Sequence, residues 1–403
     1  MKSLAFTSLL LLGCASALIA AETKIIVEAG EYDREDTIVE FKTPANVKLP
    51  QVLSGDGQEV SVQTAPDGRA WFIEPGLKRG TKKTYAFAEG IARTPVRATM
   101  ENGDVTLRAY GRTVFTYRTE KTPLPPDRPD LKPIYQRGGY IHPVWSPTGK
   151  QITDDYPLNH KHHHGIWFAW THTEFEGRTP DFWNMGEGKG TVEFVSLEKT
   201  WSGPVHAGFT SKHRQVDLTA TEPKTALNET WNVSLYSVGN EPLHPYFLFD
   251  IEITDRCPGA PLKLPQYRYG GIAIRGNWAW NGKDQLNFLN SEGVTDRSKG
   301  DKNETQGRWA HIGGLLNGGL TGIAILDHPG NVRFPQPQRI HPTEPYINLA
   351  PQQSGDLEIT SDKPLTLRYR FVVADGAPDK AELDRLWNDY AHPPKVKIAV
   401  EGE

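Results

Sequence analysis

Cysteine is scarce in this chain, with 2 among 403 residues, and methionine is nearly so, with 3. Once an N-terminal leader is set aside, Cys257 stands alone, which excludes an intramolecular disulfide even in an oxidising compartment. A basic excess is lacking as well. Lys and Arg number 45 against 49 Asp and Glu, a formal charge of −4, so a phosphate-tracking role is excluded and no nucleic-acid partner is expected. Beyond the first twenty residues no apolar run approaches the ~18 consecutive residues that a membrane helix needs, so no transmembrane segment is expected. There is no P-loop, no dinucleotide glycine fingerprint, no Gly-x-Ser-x-Gly elbow and no His-Glu-x-x-His.

What is plentiful is turn formers and aromatics: 38 Gly, 31 Pro, 11 Trp, 14 Tyr and 15 Phe. Short alternating segments such as Lys24-Ile25-Ile26-Val27-Glu28 recur with no helical pattern between them. The fold expected is all-β, a large β-sandwich or supersandwich with a small N-terminal β domain and one C-terminal helix. Residues 1–21, apolar from Leu4 to Leu12 and then rich in alanine, read as a signal peptide, which places the mature chain in the periplasm or outside the cell. Leu11-Leu12-Gly13-Cys14 is a partial lipoprotein signal, so a lipid anchor at Cys14 is the alternative to soluble release. The small domain is expected over 22–121, a proline-rich linker over 122–133 and the large domain over 134–403. Leu383, Leu386, Trp387 and Tyr390 fall at i, i+3, i+4 and i+7, which predicts a helix over about 378–391 that covers one sheet.

Five of the thirteen histidines, His142, His160, His162, His163 and His164, lie within 23 residues, in a stretch punctuated by Pro, Gly and Trp. Such a stretch reads as a loop entering a strand and lining a pocket. If residues 160 onward are extended, His160, His162 and His164 share one face and His163 takes the other. Three readings stay open. His160 and His162, at i and i+2, reach one divalent metal (Zn, Ca or Mn), with His142 or Asp155 completing the shell. Alternatively, His142 and His163 act as base and acid without a metal. The third reading is structural or adventitious.

Other candidates are scattered. Arg275 ends an apolar strand and is read as stabilising developing negative charge; Arg308 lies beside Trp309, and either guanidinium can fork onto substrate oxygen or close an internal salt bridge. Asp327-His328-Pro329-Gly330-Asn331 is a turn sequence in which Asp327 can also orient a histidine. Tyr140, Trp145, Asp155, Trp167, Arg308, Asp327, His328 and His341 are the expected substrate-binding groups, with Trp145, Trp167, Trp170 and Trp183 as stacking platforms for sugar rings.

His244-Pro245-Tyr246-Phe247 is similar to a motif of aldose epimerases, whose fold is a large β supersandwich. More extensively, Tyr140-Ile141-His142-Pro143, Asn159-His160-Lys161-His162-His163, Gly165-Ile166, Tyr269-Gly270-Gly271, Arg275 and Asp327-His328 together resemble a secreted bacterial family of unknown function long labelled "methane oxygenase". The resemblance runs from about Ile134 to Ala391, and His-x-His-His is its most specific part. This chain has Asn159 where the family usually has Asp and His164 where it has Arg. Methane oxygenation by a membrane complex requires spans that are missing here, so the label is rejected. The resemblance implies a setting among exported sugar oxidoreductases and glycan-degrading enzymes, hence a carbohydrate or glycoside substrate. The function expected is an exported carbohydrate-active enzyme, a lyase or glycoside-cleaving enzyme using histidine acid/base chemistry. The alternatives are a carbohydrate-binding protein without chemistry and a metal-dependent hydrolase or oxygenase on a non-sugar substrate.

Overall fold

The computed structural model describes residues 23–45, 47–239, 245–301 and 305–400; the leader, Cys14 and His244 lie outside them. Two eight-stranded antiparallel sheets dominate. The first runs, in spatial order, Gln338–Ile340, Tyr346–Leu349, Gly271–Arg275, Ile166–Ala169, Tyr140–Val144, Arg112–Arg118, Asp104–Ala109 and Val96–Glu101. The second runs Gly190–Trp201, His206–Asp217, Lys224–Tyr236, Tyr246–Arg256, Leu365–Asp375, Gly319–Asp327, Trp309–Leu316 and Asn287–Asn290. The fold is thus mostly β, as the alternating segments predict, with two helices among the described residues.

Period-2 alternation decides what enters the space between the sheets. Along Lys224–Tyr236 it turns Leu227, Glu229, Trp231, Val233 and Leu235 inward, all essentially buried. Facing them, Ile166–Ala169 and Gly271–Arg275 are buried at every position, as central strands covered on both sides must be. One continuous apolar core results, and it takes in Trp167, Trp170, Trp183 and Trp231.

The domain division lies elsewhere than the prolines suggest. The strands Val96–Glu101, Asp104–Ala109 and Arg112–Arg118 pair onward to Tyr140–Val144 in the first large sheet, so the boundary precedes Val96. The smaller body is a five-stranded and a three-stranded sheet around Ile25, Val27, Val39, Leu53, Phe72 and Tyr85. Its edge strand is Lys395–Val400, paired antiparallel with Thr23–Glu28, which removes the last residues from the large domain. Residues 122–133 are bound to the site loop instead of linking two bodies: Arg128 Nη1 donates to the Tyr156 carbonyl at 2.6 Å and Lys161 Nζ reaches Asp130 Oδ2 at 3.0 Å.

The helix spans Lys380–Ala391, with Asp379 capping the amides of Ala381 and Glu382, the role a carboxylate plays at an N-cap. Leu383, Leu386 and Trp387 pack on Leu248, Ala324, Leu326 and Val372 of the second sheet and meet Ile38 and Ile73 of the small body. Burial of each contributes roughly 1.5–3 kcal/mol. Asp389, buried, takes hydrogen bonds from Arg34 Nη1 at 2.8 Å, Thr37 Oγ1 at 2.9 Å and Arg385 Nη1 at 3.1 Å. Asp389→Ala strands the buried Arg34 charge. It is expected to lower unfolding free energy by about 3 kcal/mol in urea titration, whereas a change within ~0.5 kcal/mol would show the helix tie to be dispensable.

Candidate functional site

The histidine loop projects from one end of the central strands of the first sheet. It is strapped there by backbone bonds, Arg275 N to Gly165 O at 2.7 Å and Asp154 N to Arg275 O at 3.0 Å. Gly165 permits the approach, because a Cβ there would lie 2.3 Å from the Ile141 carbonyl oxygen. The loop turns where an extended strand was expected: His163 N donates to His160 O at 2.8 Å. That turn brings residues three apart together, so His160 and His163 stack at 4.6 Å and 14°, while His164 points to a different set of partners.

His160, about one-third exposed, has Nδ1 2.8 Å from Glu344 Oε2, close but without the alignment of a hydrogen bond. The same oxygen accepts from Arg275 Nη1 at 2.6 Å. Arg275 is fully buried, and its Nη2 donates to Asn159 and Asn281, each at 3.3 Å. Burial would raise the Glu344 carboxyl, but His160 and Arg275 outweigh it and hold the group at about 2. Behind His160, His163 is sandwiched on its far face by Tyr346 at 5.0 Å and flanked by Trp167 at 4.8 Å. Burial keeps His163 far below the ordinary histidine value and His162, 4.7 Å from it, at about 3. Both are neutral at pH 7. The His341 ring lies 6.0 Å from His160, and its Nδ1 accepts from the Glu344 amide at 3.1 Å.

A second dyad lies alongside. His164 Nδ1 meets Asp155 Oδ1 at 2.6 Å, and Tyr140 donates to Asp155 Oδ2 at 2.8 Å. His142 bonds Thr153 Oγ1 at 3.0 Å, and burial lowers it to about 4.

The structure therefore gathers His160, His162, His163, His341 and Arg275 in one group, with Tyr140, Asp155 and His142 in the neighbouring one. Trp167 belongs to the first group as buried wall. The remaining candidates stand elsewhere. Trp145 lies at the turn that closes on Gln151. Arg308 grips Asp384 at 3.0 Å and lies over Trp387 at 4.6 Å. Asp327 accepts from Asn331 Nδ2 and the Gln336 amide, both at 2.7 Å, and His328 Nδ1 takes the Gly330 amide at 2.9 Å. These last three residues do the turn and helix packing that their local sequence favours.

Two expectations need correction. Among the described residues no group of three or more His, Cys, Asp or Glu is placed to hold a metal ion. The rings of the i, i+2 pair, His160 and His162, stay 5.8 Å apart, but Asp155 is committed to His164 and Tyr140 and His142 to Thr153, so the residues expected to complete the ligand shell are engaged elsewhere. Trp167, Trp170 and Trp183 are at most 2% exposed, so they are core and not stacking platforms; the 41% exposed Trp278 adjoins the site through Asn281, whose Nδ2 donates to its carbonyl. Glu344 and Trp278 carry no motif in the sequence. His164 lay in plain view.

Two eight-stranded antiparallel sheets and a histidine-rich polar cluster define a mostly β protein with a candidate site. The chain belongs to the family of unknown function DUF6807, whose model matches residues 104–388. Membership brings neither an oxygenase label nor a histidine motif. No curated protein matches the chain. Among solved structures it is similar to a protein in glycosyl hydrolase family 38 from Enterococcus faecalis, at 11% identity and TM-score 0.41, covering 96% of this chain and 48% of that one. It is also similar to a TPR-domain containing protein from Parabacteroides distasonis, at 10% identity and TM-score 0.20, covering 89% and 56%. The chain spans about half the length of each. No helix among the described residues is long and apolar enough to cross a membrane.

Proposed function

We propose that this chain is an exported carbohydrate-active enzyme that cleaves or rearranges a sugar by proton transfer at His160. The observation that carries this reading is the line Arg275–Glu344–His160, in which a buried guanidinium keeps a carboxylate ionised against the inner nitrogen of a one-third exposed imidazole. With Nδ1 turned to the carboxylate, Nε2 is the nitrogen left to exchange a proton with a bound hydroxyl or a carbon acid. The negative carboxylate 2.8 Å from Nδ1 favours the tautomer with its proton on that nitrogen. His163 and Tyr346 hold the ring flat from behind. This reassigns the acid/base role from His142 and His163, which are neutral and bonded or stacked away from solvent. Arg275 acts through Glu344 and is a positioning residue. Carbohydrate is supported by the polar, amide-rich surround of Asn159 and Asn281 beside the exposed indole of Trp278, a pairing suited to hydroxyls and a sugar face.

Chromatographic analysis of a panel of glycosides and polysaccharides, incubated with wild type and His160→Ala, tests the reading. Product formed by wild type and lowered about 10²–10⁴-fold in the variant is expected for a lost general base. Saturable glycan binding without product would favour the binding-protein reading. Neither binding nor product across the panel would remove carbohydrate from consideration.

A further inference from the structure

Trp145 is the one expected stacking platform that the core does not absorb. Trp167, Trp170 and Trp183 are buried, whereas Trp145 is half-buried. It lines an open groove of about 490 Å³ together with Arg112, Thr113 and the turn at 146–149, a volume within the range of small-ligand sites. The groove shares no residue with the histidine cluster. Its walls are set by the backbone: Trp145 N donates to Val114 O, Ser146 N to Lys150 O and Gly149 N to Ser146 O, each at 2.8 Å. The indole and the turn are therefore in place before any ligand arrives.

Three polar groups of the lining are uncommitted. Among the described residues the Arg112 guanidinium, the Thr113 hydroxyl and the Trp145 indole N–H have no hydrogen-bond or ion-pair partner. Arg112 is exposed, and neither the Thr113 oxygen nor the Trp145 nitrogen is shut off from solvent. The carboxylate nearest the turn, Asp375, is engaged by the turn itself. It accepts from Ser146 Oγ at 3.0 Å, Thr148 Oγ1 at 2.8 Å and the Thr148 amide at 2.9 Å, and Lys150 Nζ neutralises it at 2.9 Å. The charge left over at the groove is that of Arg112, so an anion entering is attracted. A guanidinium forks onto a carboxylate through two parallel N–H donors, and an indole face suits the C–H face of a pyranose.

We propose that this groove binds a hexuronate, the pyranose resting on Trp145, the carboxylate on Arg112 and a ring hydroxyl at Thr113. The proposal concerns binding alone and does not rest on proton transfer at His160. Isothermal titration of the full chain with methyl glucuronoside, its methyl ester, methyl glucoside and acetate tests it, since the first three share a sugar body and differ in charge, and acetate carries the charge without the sugar. The glucuronoside is expected to bind about fivefold more tightly than the ester or the glucoside, the factor that an exposed ion pair of good geometry provides, and the preference narrows as salt is raised. Arg112→Gln, at an exposed position, removes the preference and leaves the glucoside affinity as it was. Trp145→Ala weakens glucuronoside and glucoside alike, with the fold checked by circular dichroism. Equal affinity for glucuronoside and glucoside, acetate bound as tightly as the glucuronoside, no heat for the glucuronoside, or a preference that survives Arg112→Gln would overturn the proposal.

Discussion

Glu344→Gln lowers turnover by about 10²–10³-fold on any substrate that wild type converts, the range for a disabled acid/base pair. The amide keeps the shape and can still accept from Arg275 Nη1, so folding is retained. What disappears is the negative charge that His160 and Arg275 both face. The ion pair also has a stability signature. Glu344 is depressed to about 2 from its ordinary 4.5, so its contribution is fully present above about 4.5 and is lost as pH falls towards 2. In Glu344→Gln that part of the acid transition is absent. A variant with wild-type turnover would return the acid/base role to another histidine.

Glu229→Leu destabilises the fold by about 4 kcal/mol, the cost of stranding several buried donors at once. Glu229 Oε1 takes the Trp231 indole N–H at 2.6 Å and meets His213 Nδ1 at 2.7 Å, while Oε2 takes Gln215 Nε2 at 2.9 Å. The other nitrogen of His213 is in close contact with the Tyr117 hydroxyl. The buried Arg137 also draws on the Glu229 charge. Urea unfolding of the variant measures the loss; a change below about 1 kcal/mol would mean that the network contributes little net stability. The neighbouring Asp255 behaves in the opposite sense. Burial and the Glu229 charge raise its carboxyl well above the usual value, and it still accepts from Trp170 Nε1 at 2.7 Å. A raised carboxyl retains a proton that the unfolded chain gives up, so its contribution is full below about pH 4 and declines as pH rises towards the folded value. Asp255→Asn keeps an acceptor for Trp170 and is expected to flatten that decline.

The sheets were legible because their strands alternate in polarity, and the helix because Leu383, Leu386 and Trp387 repeat at helical spacing. The histidine loop was legible through density alone. Its geometry was not, since the i, i+2 rule applies to extended chain and residues 160–163 form a turn, a distinction that polarity does not report. Glu344 was illegible for another reason. It reaches His160 only because Tyr346–Leu349 pairs with Gly271–Arg275, a neighbour relation between strands some seventy residues apart. The boundary at the prolines failed because the strands at 96–118 carry the same alternation as those of either body, and nothing local says which sheet they will join.

The pairing of Thr23–Glu28 with Lys395–Val400 has a mechanical consequence. Thr23 lies opposite Val400 and Glu28 opposite Lys395, so tension applied at residues 23 and 400 loads the ladder from one end. Its hydrogen bonds then open in succession, as a zipper does, and share no load. The larger sandwich, enclosed in sequence between these two strands, feels no pull until this latch has parted.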